Sequence, residues 1–82
     1  MVAIPVLNEE KTIAKVIDRI PKRIKGIKEI QIVIVDDGST DKSAQIALRK
    51  GAEVISHPYH LGLGAFFATA QKKFLQMGLV SV

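Results

Sequence analysis

A chain of 82 residues has room for one small domain, and its 48% hydrophobic content excludes a disordered, solvent-swollen segment. It contains no cysteine, which excludes a disulfide framework and a thiolate zinc site and points to a reducing, cytoplasmic interior. Much of the net charge of +4 comes from Lys22, Arg23, Lys25 and Lys28 in PKRIKGIK; no aromatics interleave these charges, so a solvated loop is the simplest reading and nucleic acid is not an expected partner.

Along the chain, Val2–Val6 is a short apolar run suited to a buried strand. In NEEKTIAKVIDRI, Ile13, Val16, Ile17 and Ile20 fall at i, i+3, i+4 and i+7, one face of an amphipathic helix. Asn8 is placed to cap that helix, Glu9 and Glu10 suit the positive end of its dipole, and Pro21 should end it. Residues 30–35 are β-branched apart from Gln31 and predict a strand covered on both faces. After the turn DDGSTD, residues 42–50 predict a second helix, with Gly51 at its C-terminal cap. A third strand is expected at 52–56, followed by the loop His57-Pro58-Tyr59-His60. The third helix is expected over 63–77, with Phe66, Ala70 and Phe74 on one face, Phe67 and Leu75 nearby, and Gly78 as its stop. Residues 79–82 open a fourth strand. This β-α-β-α-β-α-β alternation predicts an α/β fold: a Rossmann-like three-layer sandwich with a parallel sheet, one domain over residues 1–82.

In open parallel sheets, ligands bind at the carboxyl ends of the strands. Two segments deliver polar groups to that edge, residues 5–9 and residues 36–41. Successive strand residues point to opposite faces, so Asp36 and Asp37 cannot both reach one metal ion from extended backbone. One should face the crevice as a hydrogen-bond acceptor while the other braces the turn. A carboxylate in a crevice can take the ring N–H of uracil or guanine, a charged hydrogen bond contributing about 1.5–3 kcal/mol. Gly38 suits a positive φ, and Ser39, Thr40 and Asp41 can cap the next helix. A capped βα connection with no ligand explains the same turn equally well.

In HLGLGA, Gly62 and Gly64 would let backbone approach a phosphate or a strand. The third glycine of a dinucleotide fingerprint is missing, and no G-K-[ST] occurs. His57 and His60 are three apart, but Pro58 disfavours the helix that would align them on a metal, and a loop role is expected for both. Lys72 and Lys73 read as a solvated helix face, and Phe66, Phe67 and Phe74 as core rather than a base-stacking platform.

Taken together, AIPVLNEEKTI, IVIVDDGSTDKS and HPYHLGLGAFFATAQKKFLQMG resemble, in order and spacing, the amino-terminal half of family 2 glycosyltransferases. The nearest branch is the polyprenyl-phosphate (dolichol-phosphate) mannose or glucose synthases, and the likeness spans essentially all 82 residues. It implies a truncated A-type glycosyltransferase fold and transfer of a sugar from a GDP- or UDP-sugar, with a polyprenyl phosphate as acceptor. It further implies that Pro5, Leu7 and Glu9 line the nucleoside pocket, Val35 packs on the base and Asp37 accepts its ring N–H. Asp36 would brace the turn beside Gly38, while Gly62 and Gly64 would shape the loop next to the crevice. The family holds Mg or Mn with an Asp-x-Asp motif at the end of its fourth strand, and LVSV stops about there. No catalytic or metal-binding residue is therefore assigned, and the chain alone is expected to be inactive and to bind no metal.

Three positions depart from the family pattern: Leu7 replaces a frequent tyrosine, His60 a frequent asparagine and Ala70 a frequent glycine. A polyprenyl acceptor would imply peripheral association with the cytoplasmic face of a membrane, and an unpaired last strand would favour a homo-oligomer. The alternatives are a non-catalytic module, acting as an oligomer or as partner of a fuller transferase, and a phospho-acceptor receiver. The receiver is disfavoured, because the third strand ends at Ser56-His57 without a carboxylate.

Overall fold

The structure, a computed structural model, describes residues 1–21 and 30–77. The basic residues 22–28, Gly78 and the expected fourth strand at 79–82 lie outside the described residues. The elements are β1 (Val2–Val6), α1 (Ile13–Arg19), β2 (Ile32–Asp36), α2 (Ser43–Arg49), β3 (Glu53–Ser56) and α3 (Leu63–Gln76). The strands form a parallel sheet in the order β1-β2-β3, so the α/β reading holds. Val6 lies opposite Asp36, and Asp36 opposite Ser56, so all three strands end level at one rim.

Alternation along β2 divides the core. Ile34 packs with Val6, Ile13, Ile17, Ala47 and Ala52 on the face covered by α1 and α2. Val33 and Val35 point the other way, onto Phe66 of α3. All three of these β2 residues are completely buried, which is why so apolar a run is needed with helices on both sides.

The helix ends differ in detail from expectation. Asn8 does not cap α1; it stands at φ 53, a left-handed conformation that asparagine tolerates, and Thr12 occupies the cap position. Asn8 is drawn away because its side-chain oxygen accepts the Thr40 N–H at 2.8 Å. Glu9 and Glu10 consequently lie in the turn before the helix, outside its first turn. Val16 is 41% exposed, so the buried stripe narrows to Ile13 and Ile17. Ile20 is already extended at ψ 123, as the residue before a proline prefers, and Pro21 ends the helix as expected. Gly51, at φ 85, follows α2 in the left-handed conformation of a helix terminator.

On α3, Phe66 is core, Ala70 packs beside it, and Phe74 is half-buried. Phe67 and Leu75 are not core: they are 65% and 58% exposed. One residue is a 100° step around a helix, which carries Phe67 off the buried face. Its ring meets Phe66 edge-on at 5.2 Å between centroids.

Candidate functional site

The level strand ends bring three loops to one rim. The Asp37 N–H donates to the Val6 carbonyl at 2.8 Å, and the His57 N–H to the Asp36 carbonyl at 2.7 Å, extending the sheet pairing into the loops. The segment after β1 and the segment after β2 therefore emerge side by side.

Their side chains lock them together. Asn8 N–H donates to Ser39 Oγ at 2.9 Å, Glu9 N–H to Ser43 Oγ at 2.8 Å and Glu10 N–H to Asp41 Oδ2 at 3.1 Å. In return, Thr40 N–H donates to Asn8 Oδ1 and Lys42 N–H to Glu10 Oε2. Ser39 and Thr40 thus serve the neighbouring loop. Only Asp41 of the three acts at the start of α2, where its Oδ1 accepts the Ser43 N–H at 2.9 Å. The Ser43 hydroxyl, helped by the Ser43 and Glu10 N–H groups, holds the Asp41 carboxyl below its ordinary value.

The adjacent aspartates separate as strand alternation requires. Asp36 turns inward: Oδ1 accepts the Ser39 N–H at 3.2 Å and Oδ2 the Ser56 hydroxyl at 3.4 Å. Asp37 faces the opposite side, only 7% exposed, and gathers three hydrogen-bond donors and one further imidazole contact. Oδ1 accepts His57 Nδ1 at 2.8 Å and the Leu61 N–H at 2.9 Å. Oδ2 accepts the Gly62 N–H at 2.9 Å, and His60 Nδ1 stands 2.8 Å from it in a charge contact without hydrogen-bond alignment. A carboxylate is an acceptor only, so the His57 imidazole carries a proton on Nδ1. The His57 imidazole first, then the Leu61 and Gly62 amides, hold the Asp37 carboxyl far below the ordinary carboxylate range against the opposing effect of burial.

The far side of His57 is also fixed, with Nε2 2.8 Å from Thr69 Oγ1 on α3. Gly38 allows this arrangement to close: a Cβ there would stand 2.6 Å from the Tyr59 carbonyl carbon, and its φ of 84 belongs to the left-handed region.

Beside Asp37 lies a cavity of about 250 Å³. Pro5, Leu7, Glu9, Asp37 and Gly62, all predicted, line it together. Val6, His60, Leu63 and Phe66 complete the lining and were not anticipated. For His60 a signal was present, since it stands two residues before Gly62 in the same loop.

Val35 requires a correction. It is wholly buried against Phe66 and has no surface to offer a base. Asp36 and Gly38 act behind the wall. Gly64 lies inside the first turn of α3, and a Cβ there would meet nothing within 4 Å, so no close approach depends on it.

Comparison with known proteins bears on the family and the fold. Residues 1–74 match the model of the family described as glycosyl transferase family 2. An uncharacterized protein of Methanocaldococcus jannaschii is 41% identical over 71 residues, 87% of this chain and 28% of that protein. The glucosyl-3-phosphoglycerate synthase of Mycobacterium tuberculosis is 42% identical over 55 residues, covering 67% of this chain and 17% of the synthase. An undecaprenyl-phosphate 4-deoxy-4-formamido-L-arabinose transferase of Photorhabdus laumondii is 35% identical over 57 residues, 68% of this chain and 18% of the transferase. The chain thus spans less than a third of the length of these relatives.

The crystal structure of the Mycobacterium tuberculosis synthase with Mn2+, uridine diphosphate and glucosyl-3-phosphoglycerate superposes with a TM-score of 0.58 at 42% identity, over 67% of this chain and 19% of that one. The fold is accordingly that of the A-type glycosyltransferases. The rim, the paired loops and the sequence agreement lead to one assignment: the chain belongs to glycosyl transferase family 2.

Proposed function

We propose that this chain forms the nucleoside-binding wall of an enzyme that transfers a sugar from a nucleotide-diphosphate sugar, in one partial donor-binding domain over residues 1–82. The observation that carries the reading is the convergence of Pro5, Leu7, Glu9, Asp37 and Gly62 on one cavity at the carboxyl ends of parallel strands. A volume of about 250 Å³ lies under the ~300–1,000 Å³ of a complete small-molecule site, which suits one wall rather than the whole pocket. In this reading Pro5 and Leu7 contact the base, and Asp37 receives its ring N–H.

Uridine diphosphate is favoured over guanosine diphosphate, because the solved relative carries it. The acceptors named by two relatives, phosphoglycerate and undecaprenyl phosphate, share a phosphate, and a phosphate-bearing acceptor is the substrate class proposed here; a polyprenyl phosphate is one such acceptor. Among the described residues no group of three His, Cys, Asp or Glu comes together to hold a metal ion, and Asp37 is committed to N–H donors. These residues do not fit the divalent cation found with the relative's nucleotide. The chain alone is proposed to bind nucleotide weakly and to be inactive. No helix among the described residues is long and apolar enough to cross a membrane.

The test is a titration of uridine and guanosine diphosphates followed by amide shifts. Leu7, Asp37, Leu61 and Gly62 should move at millimolar uridine diphosphate. If those amides stay still while nucleotide reaches tens of millimolar, the nucleoside-pocket reading fails.

A further inference from the structure

We propose that the His60 imidazole is a built-in competitor for the nucleobase, occupying the position on Asp37 that the ring N–H of a bound uracil or guanine must take. The inference rests on the nucleoside-pocket reading and deepens it. A carboxylate offers about four acceptor positions; in Asp37 three are filled by His57, Leu61 and Gly62, and the His60 imidazole stands 2.8 Å from Oδ2 on the cavity side. A base that brings its ring N–H to Oδ2 must displace one of these four neighbours.

The fold decides which. The Leu61 and Gly62 donors are backbone amides at the entrance to α3, and releasing them would dismantle the loop. The His57 side chain is 9% exposed and held at both ring nitrogens, by Asp37 and by Thr69. The His60 side chain is 65% exposed, has one partner, and lines the cavity itself. It can swing into solvent by side-chain rotation alone. A uracil or guanine ring N–H then donates to Oδ2 in place of the imidazole, whereas a base lacking that proton leaves His60 where it is. The imidazole covers Oδ2 in the empty site and lowers the affinity for any base that must displace it.

The experiment measures dissociation constants by amide-shift titration of the chain and of His60→Ala, using uridine diphosphate and its N3-methyl analogue, which lacks the ring proton. In a parallel titration of the unaltered chain, the ring nitrogens of His60 and His57 are followed. The substitution should tighten uridine diphosphate binding about two- to fivefold, the range set by an exposed ion pair, and should leave the N3-methyl analogue unimproved. On adding uridine diphosphate, the His60 ring signals should move and those of His57 should hold. Equal or weaker binding by His60→Ala, the same gain for the methylated analogue, or an unmoved His60 ring at saturation overturns the competitor role while leaving the pocket intact. Failure of both chains to bind any nucleotide removes the pocket reading and this inference together.

Discussion

Replacing Gly38 by alanine tests how the loop before α3 is seated on the end of β2. Two independent penalties act at this position. Its φ of 84 is left-handed, which costs an L-residue about 1–2 kcal/mol. The added Cβ would also stand 2.6 Å from the carbonyl carbon and 2.7 Å from the Cα of Tyr59, with the His60 nitrogen at 2.8 Å. These are backbone atoms and cannot rotate aside, so an overpacking cost of roughly 1–3 kcal/mol is added. The sum is about 2–5 kcal/mol, against a total stability on the order of 4–12 kcal/mol for a domain of this length at 0.05–0.15 kcal/mol per residue. Gly51→Ala is the matched control: its φ is 85, but its Cβ would meet nothing within 4 Å, and it should show only the first penalty. Urea unfolding followed by circular dichroism compares the two at equal slope. Gly38→Ala should be the less stable by about 1–3 kcal/mol, with Leu61 and Gly62 amides displaced. Equal unfolding midpoints would refute the close packing of Tyr59 on this turn.

Ser43→Ala should cost about 1–3 kcal/mol in the same assay, because the Glu9 N–H loses its acceptor where Ser43 is wholly buried; a change under half a unit would contradict that role. Asp37 and Asp41 titrate below their ordinary value of 3.8 in the folded chain, so the unfolded chain takes up protons first as pH falls. Their contribution is complete above that value and is lost below it: the melting temperature should be level down to about pH 5, then fall, and Asp37→Asn should flatten the decline. A melting temperature that rises on acidification would contradict the assignment. Asp18→Asn, which breaks the exposed pair with Lys50, should change stability by less than about 1 kcal/mol in a thermal melt, and a larger loss would mean the pair is more than a surface contact.

Much of this fold was legible where the determinants are local. Val33, Ile34 and Val35 announce a doubly covered strand through their own branching, and Ile13 and Ile17 announce a helix face through their spacing. The division of labour between Asp36 and Asp37 followed from strand alternation alone. Features decided by partners distant in sequence were not legible. Asn8 has the composition of a helix cap, but the groups that claim it are 31 and 32 residues away. Val35 sits one residue from the rim, and only the position of Phe66 shows that its side chain is covered. The three hydrogen bonds and the His60 contact on Asp37 arise from a loop that doubles back over Gly38, a geometry that neither His57 nor His60 reveals by spacing. Phe67 shares its neighbour's chemistry and differs only in helical angle.

The mutual clasp between residues 8–10 and residues 39–43 has a consequence for anyone recombining such proteins. Each segment supplies acceptors for the other's main chain, so neither keeps its shape by itself. A chimera that imports one of them from a cousin would inherit mismatched halves, and its altered substrate choice could be mistaken for a property of the donated piece. The two must be transplanted as a pair.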